Sequence, residues 1–178
     1  STLSTLSDEI FADGMAETIK YGALFDGDFL KFLNENNARE SLEYIIEKCV
    51  TFKRDIVNVD ETDRGLRGLL NFGHTIGHSI EKCSNFAVSH GSAVAIGMCL
   101  IAEKTCTPEQ TAALKACLQA YHLPTSVPVP ISDLLPFCGV DKKRAGNQLR
   151  YIVCETPGKA EIRTASISEF AAWMEEQA

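Results

Sequence analysis

The sequence has 178 residues, of which 45% are hydrophobic and 23% charged, so it can form one domain with a core of ordinary size, and disorder or a fibrous repeat is excluded. Asp and Glu number 24 against 17 Lys and Arg, a formal net charge of −7, which disfavours binding to nucleic acid or anionic membranes through the overall field. The longest apolar run, residues 93–102, covers ten residues, about half of the roughly 20 that a membrane-spanning helix needs.

The first third of the chain predicts three helices. Apolar residues recur at helical spacing up to position 24, a second helix is predicted over 26–36, and a third over 42–56. The first stripe consists of Phe11, Met15, Ile19 and Leu24, and the third of Leu42, Ile45, Ile46, Cys49, Phe52 and Ile56. Each stripe predicts a helix with one face buried in the core.

The middle of the chain predicts a helix over 69–83, although Gly73 and Gly77 lie inside it. Each glycine costs about 1 kcal/mol relative to Ala in a helix. Two glycines four residues apart share one face, which indicates that a metal, a cofactor or a neighbouring backbone approaches closely there.

Two further helices are predicted from their capping residues. Ser89 can cap a helix that runs to about Thr105 and is nearly apolar all round, which is typical of a helix buried in the middle of a fold. Thr107 and Pro108 are typical of an N-cap followed by the first helical residue.

The character of the sequence changes after residue 123. Three prolines predict a loop, and residues 131–138 predict a short helix. Two strands, 149–155 and 160–164, flank Thr156-Pro157-Gly158-Lys159, which predicts a hairpin, and Ser168 is predicted to cap a last helix ending near Glu176. The sequence therefore predicts a mainly α fold, a single multi-helix domain over 1–178 with one small antiparallel β-hairpin near the C-terminus.

Seven cysteines are present, at positions 49, 83, 99, 106, 117, 138 and 154. The count is odd, no pair has C-x-x-C spacing, and several lie inside apolar helical stripes. A disulfide framework or a zinc ribbon would space them differently. The pattern predicts buried, reduced thiols in a cytoplasmic protein.

Three of the four histidines, His74, His78 and His90, fall within 17 residues. His74 and His78 are four apart, which predicts two rings on one helix face about 6 Å apart, a spacing that suits a metal ion. The H-E-x-x-H protease pattern is disfavoured because Thr75 replaces its Glu. Spacing alone leaves open that two of these histidines are structural.

Several charged residues have both a functional and an ordinary interpretation. Glu17 and Lys20 are three apart in a predicted helix and could form a surface ion pair worth a few tenths of a kcal/mol. Lys53 could be a solvated residue on a polar helix face, and Arg67 could form a structural salt bridge to the acidic run at 60–63.

Four stretches taken together are more specific: 14–22 (GMAETIKYG), 60–78 (DETDRGLRGLLNFGHTIGH), 90–98 (HGSAVAIGM) and 141–143 (DKK). In order and approximate spacing they resemble the 3-dehydroquinate synthases, within the sugar-phosphate cyclases, and the resemblance covers essentially the whole chain. Its most specific part is the eight-residue motif 71–78, followed by His-Gly twelve residues after His78.

The resemblance implies that Glu17, His74 and His90 bind a metal ion. One carboxylate and two imidazoles suit Zn²⁺ or Co²⁺ and leave positions open for substrate. In place of the pair that spacing favours, the resemblance gives His78 a role facing the substrate, near the hydroxyl at which oxidation begins. It further implies substrate binding by Lys20, Lys53, Arg67, Asn71, His78 and Lys142, and catalytic roles for His78, Lys20, Lys53 and Asp63.

The implied reaction converts 3-deoxy-D-arabino-heptulosonate 7-phosphate to 3-dehydroquinate and phosphate, in the shikimate pathway of aromatic amino acid biosynthesis. NAD⁺ takes hydride from a ring hydroxyl, phosphate leaves by β-elimination, hydride returns, and an aldol step closes the carbocycle after ring opening. Zinc would polarise and orient the hydroxyl and ketone oxygens. An acidic protein must focus Lys and Arg locally to bind this substrate, which carries both a carboxylate and a phosphate.

The sequence contains no G-x-G-x-x-G turn after a strand. In the family a separate N-terminal α/β domain holds NAD⁺, so the resemblance implies that this chain is the C-terminal half of a protein about twice as long. The start at Ser1 rather than Met agrees with that expectation. We expect a homodimer for the full-length protein, and no synthase activity with weak or no zinc binding for this half alone.

Two residues depart from the family pattern, and other functions stay open. Ser92 stands where Glu is common and Ile76 where Phe is common. The alternatives are a 2-deoxy-scyllo-inosose or 2-epi-5-epi-valiolone synthase, a metal-dependent alcohol or glycerol dehydrogenase, and a helical scaffold domain without catalysis. Arg67 with Asn71 favours dehydroquinate synthesis, because the substrate of that reaction carries a carboxylate.

Overall fold

The computed structural model describes residues 2–61, 65–127, 129–138 and 148–176. Its helices and strands follow one another as α1 (Asp8–Phe25), α2 (Gly27–Glu35), α3 (Leu42–Val59), α4 (His74–Cys83), α5 (His90–Thr105), α6 (Pro108–Ala120), α7 (Ile131–Leu134), β1 (Gln148–Cys154), β2 (Ala160–Ser166) and α8 (Ile167–Glu175). Short 3₁₀ helices cover Thr2–Thr5, Leu66–Asn71 and Leu135–Phe137. The predicted fold, mainly helical with one antiparallel hairpin near the C-terminus, is confirmed.

The N-terminal helices form where the apolar stripes predict them. Ile19 and Leu24 on α1 are fully buried, and burying a side chain of this kind stabilises the fold by about 1.5–3 kcal/mol. Asp26 follows α1 directly, and its side chain accepts the Phe29 N–H at 2.9 Å, which caps α2. Helix α1 buries its predicted face, whereas in α3 only Ile45 of the predicted stripe is buried and Ile46 is 44% exposed, so the prediction is wrong for Ile46.

Helix α5 occupies the centre of the fold. Ala93, Val94, Met98 and Cys99 are all 0% exposed, and α1, α4 and α6 pack around the helix. The Ser89 side chain accepts the Ser92 N–H, and the helix ends at Thr105, so both predicted ends are confirmed. The predicted Thr107 cap of α6 is also present, as a capping box with Gln110.

The single helix predicted over 69–83 is wrong. A 3₁₀ helix ends at Asn71, and the chain turns at Gly73, whose φ of +78° lies in the left-handed region, before α4 starts at His74. A side chain at Gly73 would be strained at this φ, and its Cβ would lie 2.7 Å from Val94 O. The break turns the start of α4 towards α1 and α5.

The C-terminal part is a hairpin followed by a helix. Strands β1 and β2 pair antiparallel, with Ile152 opposite Ile162, and the Tyr151 ring packs at a tilt against Phe170 of α8. The predicted Ser168 cap is wrong, because Ser166 caps α8 and forms a capping box with Glu169. Ser166 and Glu169 have the three-residue separation that this motif requires. The helix predicted over 131–138 consists of α7 and a following 3₁₀ turn.

The seven cysteines are free thiols, as predicted. Four of them are buried and Cys49 and Cys106 are partly buried, whereas Cys83 is exposed, so the prediction of burial is wrong for Cys83; the buried four are Cys99, Cys117, Cys138 and Cys154. Burial raises the pKa of Cys99, Cys117 and Cys154 to about 12. These three thiols are therefore protonated and unreactive near neutral pH.

Candidate metal and substrate site

Three side chains from three helices meet at one point. Glu17 lies in the middle of α1, and His74 and His90 are the first residues of α4 and α5. Glu17 Oε1 lies 3.4 Å from His74 Nε2 and 3.6 Å from His90 Nε2. One ligand atom from each residue lies within 4.8 Å of the others. We call these three residues the Glu17–His74–His90 cluster.

Close packing of α4 against α5 brings the two histidines together. A Cβ at Gly97 would overlap the Gly73 carbonyl oxygen, and one at Gly77 would lie 3.2 Å from the Ala93 carbonyl oxygen. Side chains at these positions would force the two helices apart. The paired glycines left open whether a metal, a cofactor or a neighbouring backbone approaches this face. In the structure the backbone of α5 lies against it.

A second close approach fixes the start of α5 on α1. Asp13 Oδ1 accepts the Gly91 N–H at 2.7 Å and the Ser92 N–H at 3.3 Å. A Cβ at Gly91 would overlap the Asp13 backbone carbonyl oxygen. Because Asp13 lies one helical turn before Glu17, α1 both contributes Glu17 and holds the helix end that carries His90.

Hydrogen bonds determine which nitrogen of each imidazole carries the proton. His74 Nδ1 lies 3.1 Å from the Phe72 carbonyl oxygen, and His90 Nδ1 lies 3.1 Å from Glu81 Oε1. A carbonyl and a carboxylate can only accept, so both Nδ1 atoms carry a proton. Burial, followed by the charge of Lys20, lowers the pKa of His74 to about 4, so this ring is neutral near pH 7 and its Nε2 holds a lone pair.

The two oxygens of Glu17 have different partners. Oε2 accepts a hydrogen bond from Lys20 Nζ at 2.5 Å, and the Lys20 side chain is almost fully buried. Burial alone would raise the pKa of Glu17, but the ion pair with Lys20 and the nearby His74 and His90 rings lower it below its ordinary value. Burial lowers the pKa of Lys20, although the Glu17 carboxylate opposes that shift.

The other oxygen of Glu17, Oε1, is buried and accepts no hydrogen bond from any residue that the structure describes. It faces the Nε2 atoms of His74 and His90. Glu17 Oε1 and the neutral His74 Nε2 are acceptors directed at one another, which is unfavourable because a buried acceptor without a partner is costly. A divalent cation would satisfy both atoms and could also bind His90 Nε2, and a carboxylate with two imidazoles suits zinc.

His78 lies next to the cluster but outside it. It is exposed, and its ring centroid lies 5.5 Å from that of His74, close to the spacing predicted for one helix face. His78 and Glu81 form a second possible ligand group with His90. The pair favoured by spacing alone, His74 with His78, is in neither of the ligand groups found among the described residues.

A cleft of about 380 Å³ opens beside the cluster. The predicted residues Asn71, His74 and His78 line it, as do two cations that sequence reasoning missed, Lys82 and Arg150. Lys82 lies on α4, one turn after His78, and this spacing could have identified it. Arg150 comes from β1, and only the tertiary fold brings it to the cleft.

The remaining predicted residues lie at varied distances from the cluster. Lys20 belongs to it through Glu17, and the positive charge of Lys53 is near enough to lower the pKa of Lys20. Arg67 lies on the 3₁₀ helix that carries Asn71, and its guanidinium donates to the Glu61 carbonyl oxygen at 3.3 Å. Asp63 and Lys142 lie outside the described residues.

The two departures from the family pattern have structural explanations. Ser92 is the third residue of α5, and its hydroxyl lies 2.9 Å from that of the capping residue Ser89. A Glu at this position of a helix commonly completes a capping box, so Ser92 occupies a capping position. Ile76 is 1% exposed and belongs to the core, so its exchange for Phe concerns packing.

Comparisons with known proteins agree with this architecture. Residues 14–144 match the family model described as 3-dehydroquinate synthase C-terminal. The chain is 38% identical to a 3-dehydroquinate synthase of Clostridium beijerinckii over 96% of the chain and 52% of that protein. It is 36% identical to one of Dichelobacter nodosus over 91% of the chain and 48% of that protein. The chain thus spans about half the length of the curated relatives that it matches.

Two related synthases of known structure share the fold. A 2-epi-5-epi-valiolone synthase from Streptomyces hygroscopicus subsp. jinggangensis, with NAD⁺ and Zn²⁺ bound, superposes with a TM-score of 0.81 at 22% identity, over 97% of this chain and 52% of that one. A 2-deoxy-scyllo-inosose synthase complexed with carbaglucose-6-phosphate, NAD⁺ and Co²⁺ gives 0.76 at 20% identity, over 98% and 54%. In the part of this chain that the structure describes, no helix is long and apolar enough to cross a membrane.

Proposed function

The chain belongs to the family of 3-dehydroquinate synthase C-terminal domains, and on that premise we propose that it is the metal- and substrate-binding part of a 3-dehydroquinate synthase. The reaction is conversion of 3-deoxy-D-arabino-heptulosonate 7-phosphate to 3-dehydroquinate and phosphate. The observation that carries the proposal is the convergence of Glu17 Oε1 with the Nε2 atoms of His74 and His90 beside an open cleft.

Glu17, His74 and His90 would hold a divalent cation, Zn²⁺ or Co²⁺. When bound, the cation would act as a Lewis acid that polarises the hydroxyl and ketone oxygens of the substrate. Lys20 neutralises part of the charge of Glu17 and fixes its carboxylate through Oε2, so that Oε1 stays directed at the two imidazoles.

His78 lies on α4 and is exposed in the cleft. Its imidazole can donate a hydrogen bond to, or accept one from, a substrate hydroxyl placed near the cluster, and it can carry the proton that leaves this hydroxyl on oxidation. We assign it this role, with Asn71 as an amide partner for a neighbouring hydroxyl or anionic oxygen.

The anionic groups of the substrate require local positive charge, because the chain as a whole carries −7. Lys53 comes from the second half of α3 and Arg67 from the 3₁₀ helix beside the cleft, and with Asn71 they form what we call the anion rim. We propose that the anion rim binds the carboxylate and phosphate, with Lys142 as a further ligand and Asp63 as an acidic residue near the reacting groups.

We propose that NAD⁺ is held mainly by a separate domain. Support comes from the extent of the match, since the chain spans about half of each relative, and from the NAD⁺ bound in the structural neighbours. The intact protein is proposed to be a homodimer that binds the sugar phosphate between this domain and the NAD⁺ domain.

The test is an assay of phosphate release by the intact protein, including any further domain that its gene encodes. We expect release from the heptulosonate phosphate that needs both NAD⁺ and a divalent cation, and no release by residues 1–178 expressed alone. Glucose 6-phosphate, which lacks a carboxylate, is the control substrate. Turnover of glucose 6-phosphate and not of the heptulosonate phosphate would contradict the assignment in favour of the 2-deoxy-scyllo-inosose type of cyclase.

A further inference from the structure

The two histidines of the Glu17–His74–His90 cluster are oriented by different means. His74 donates from Nδ1 to a backbone carbonyl oxygen, that of Phe72, which the turn at Gly73 holds in place. Its side chain is 13% exposed and is confined by the core. Backbone and packing together fix this ring.

His90 lacks this confinement. Its side chain is 43% exposed, and it is the first residue of α5, where the neighbouring turn of the helix lies on one side only. The bonds from Asp13 hold the backbone of Gly91 and Ser92 but do not reach the imidazole. Rotation of the ring about its side-chain bonds would direct Nε2 away from Glu17.

The hydrogen bond from His90 Nδ1 to Glu81 Oε1, at 3.1 Å, opposes that rotation. The Glu81 side chain is only 15% exposed, and its Cα is fixed by α4, which crosses α5 at Gly77 and Gly97. Glu81 follows His74 by seven residues, so both point from one face of α4.

We propose that Glu81 is a positioning residue of the metal site, which orients His90 and raises the basicity of its Nε2 through the hydrogen bond at Nδ1. The inference rests on the proposed function, in which the cluster binds a cation. A carboxylate in this position typically strengthens metal binding 10- to 100-fold, because the ring is held in the binding orientation and its lone pair is more basic.

The competing interpretation is that Glu81 is itself a metal ligand. His78, Glu81 and His90 also have ligand atoms within 4.8 Å of one another. A second ion there would need His90 to lose the Nδ1 proton and bridge two cations. The two interpretations differ in the number of ions bound and in the effect of an uncharged acceptor at position 81.

The experiment measures Zn²⁺ affinity by competition with a chromophoric chelator, and the visible absorption of bound Co²⁺, in the intact protein without substrate. Glu81→Ala removes the acceptor, and we expect a 10- to 100-fold weaker affinity with a changed Co²⁺ spectrum. Glu81→Gln keeps an acceptor without charge, so it should recover much of the affinity and the parent spectrum. Glu103→Gln, at a partly exposed ion pair with Lys115 near the end of α5, is the matched control.

Each other outcome overturns the inference in an identifiable way. Equal affinity and spectrum for Glu81→Ala and the parent would exclude a positioning role while leaving the proposed function intact. Two ions in the parent and one in both Glu81 variants would make Glu81 a ligand. A parent protein that binds neither Zn²⁺ nor Co²⁺ would overturn the proposed function together with this inference.

Discussion

The Glu17–His74–His90 cluster and the anion rim serve one proposed site but are built differently. The cluster lies where α4 and α5 cross at backbone contact, and its supports are buried groups such as Lys20 and the Phe72 carbonyl. The rim residues Lys53 and Asn71 are exposed, and they lie in the second half of α3 and on a 3₁₀ helix.

This difference follows from the chemistry that each region must perform. A metal site needs its ligand atoms fixed to within a fraction of an ångström, which packed helices provide. An anion can be bound by long cationic side chains that adjust to it, since charge acts over a longer range than covalent geometry. Substitutions in the cluster should therefore change metal binding, and those in the rim should change substrate binding alone.

The largest effect is expected for a cluster ligand. His74→Ala removes one of the three donors and should weaken Zn²⁺ binding by more than about 100-fold, a larger loss than that expected for an orienting residue. Thermal unfolding should show it too, because a cation at 100 times its Kd stabilises a protein by about 2.7 kcal/mol. The measurement is chelator competition with unfolding curves recorded with and without zinc.

His122→Asn is the control for that substitution. His122 lies just after α6, away from the cluster, and its φ of 59° is one that Asn tolerates. Zinc affinity unchanged from the parent is expected for this variant. Equal losses in the two variants would contradict the placement of the metal in the cluster.

The next largest effect concerns the helix crossing. Gly97→Ala would place a Cβ against the Gly73 carbonyl oxygen, and relief requires the backbones of α4 and α5 to separate. We expect the free energy of unfolding to fall by about 3 kcal/mol, measured by urea denaturation, together with weaker zinc binding because His74 and His90 move apart.

Gly14→Ala is the matched glycine control. A Cβ at Gly14 would meet no atom within 4 Å, and Ala is favoured over Gly inside a helix by about 1 kcal/mol. This variant should be as stable as the parent or more so. If Gly97→Ala had the same effect, the crossing would not depend on backbone contact.

The rim should respond in the opposite way. Arg67→Ala is expected to weaken binding of the heptulosonate phosphate about 10- to 100-fold, since a hydrogen bond between charged groups contributes about 1.5–3 kcal/mol. Zinc affinity should not change. The KM for the sugar phosphate and the zinc Kd are measured on the same preparation of intact protein.

Arg54→Ala provides the comparison for Arg67, because the Arg54 guanidinium pairs with Asp55 on the surface of α3. An exposed pair of this kind contributes little. Loss of zinc affinity in Arg67→Ala, or an equal rise in KM in Arg54→Ala, would show that the two regions are not separable as described.

Local sequence patterns predict much of the fold. They predict the caps at Ser89 and Thr107 and the apolar stripe of α5, because each of these depends on residues within one or two turns. The correct cap of α8 could also have been predicted from the sequence, since Ser166 and Glu169 form the capping-box pattern. The break at Gly73 was harder, because the contact with α5 decides it and no local pattern records that contact.

Residue spacing in the sequence predicts less of the candidate site than of the fold. The i, i+4 pair His74 and His78 is local, whereas Glu17 joins His74 across 57 positions and does so only in the folded chain. That partner was named through resemblance to a family. Glu81 was missed, although it lies on the predicted face of α4, because its role depends on where His90 comes to lie.

The smallest effect is expected where α1 holds the start of α5. Asp13→Ala removes the acceptor of the Gly91 and Ser92 N–H groups, and loss of such a cap costs about 1 kcal/mol. Urea denaturation should detect this decrease. Asp8→Ala is the control, since Asp8 is 96% exposed in its pair with Arg39 and contributes a few tenths of a kcal/mol. A larger cost for Asp13 would show that the packed region depends on a partly buried connection between α1 and α5. Equal costs for Asp13→Ala and Asp8→Ala would contradict that dependence.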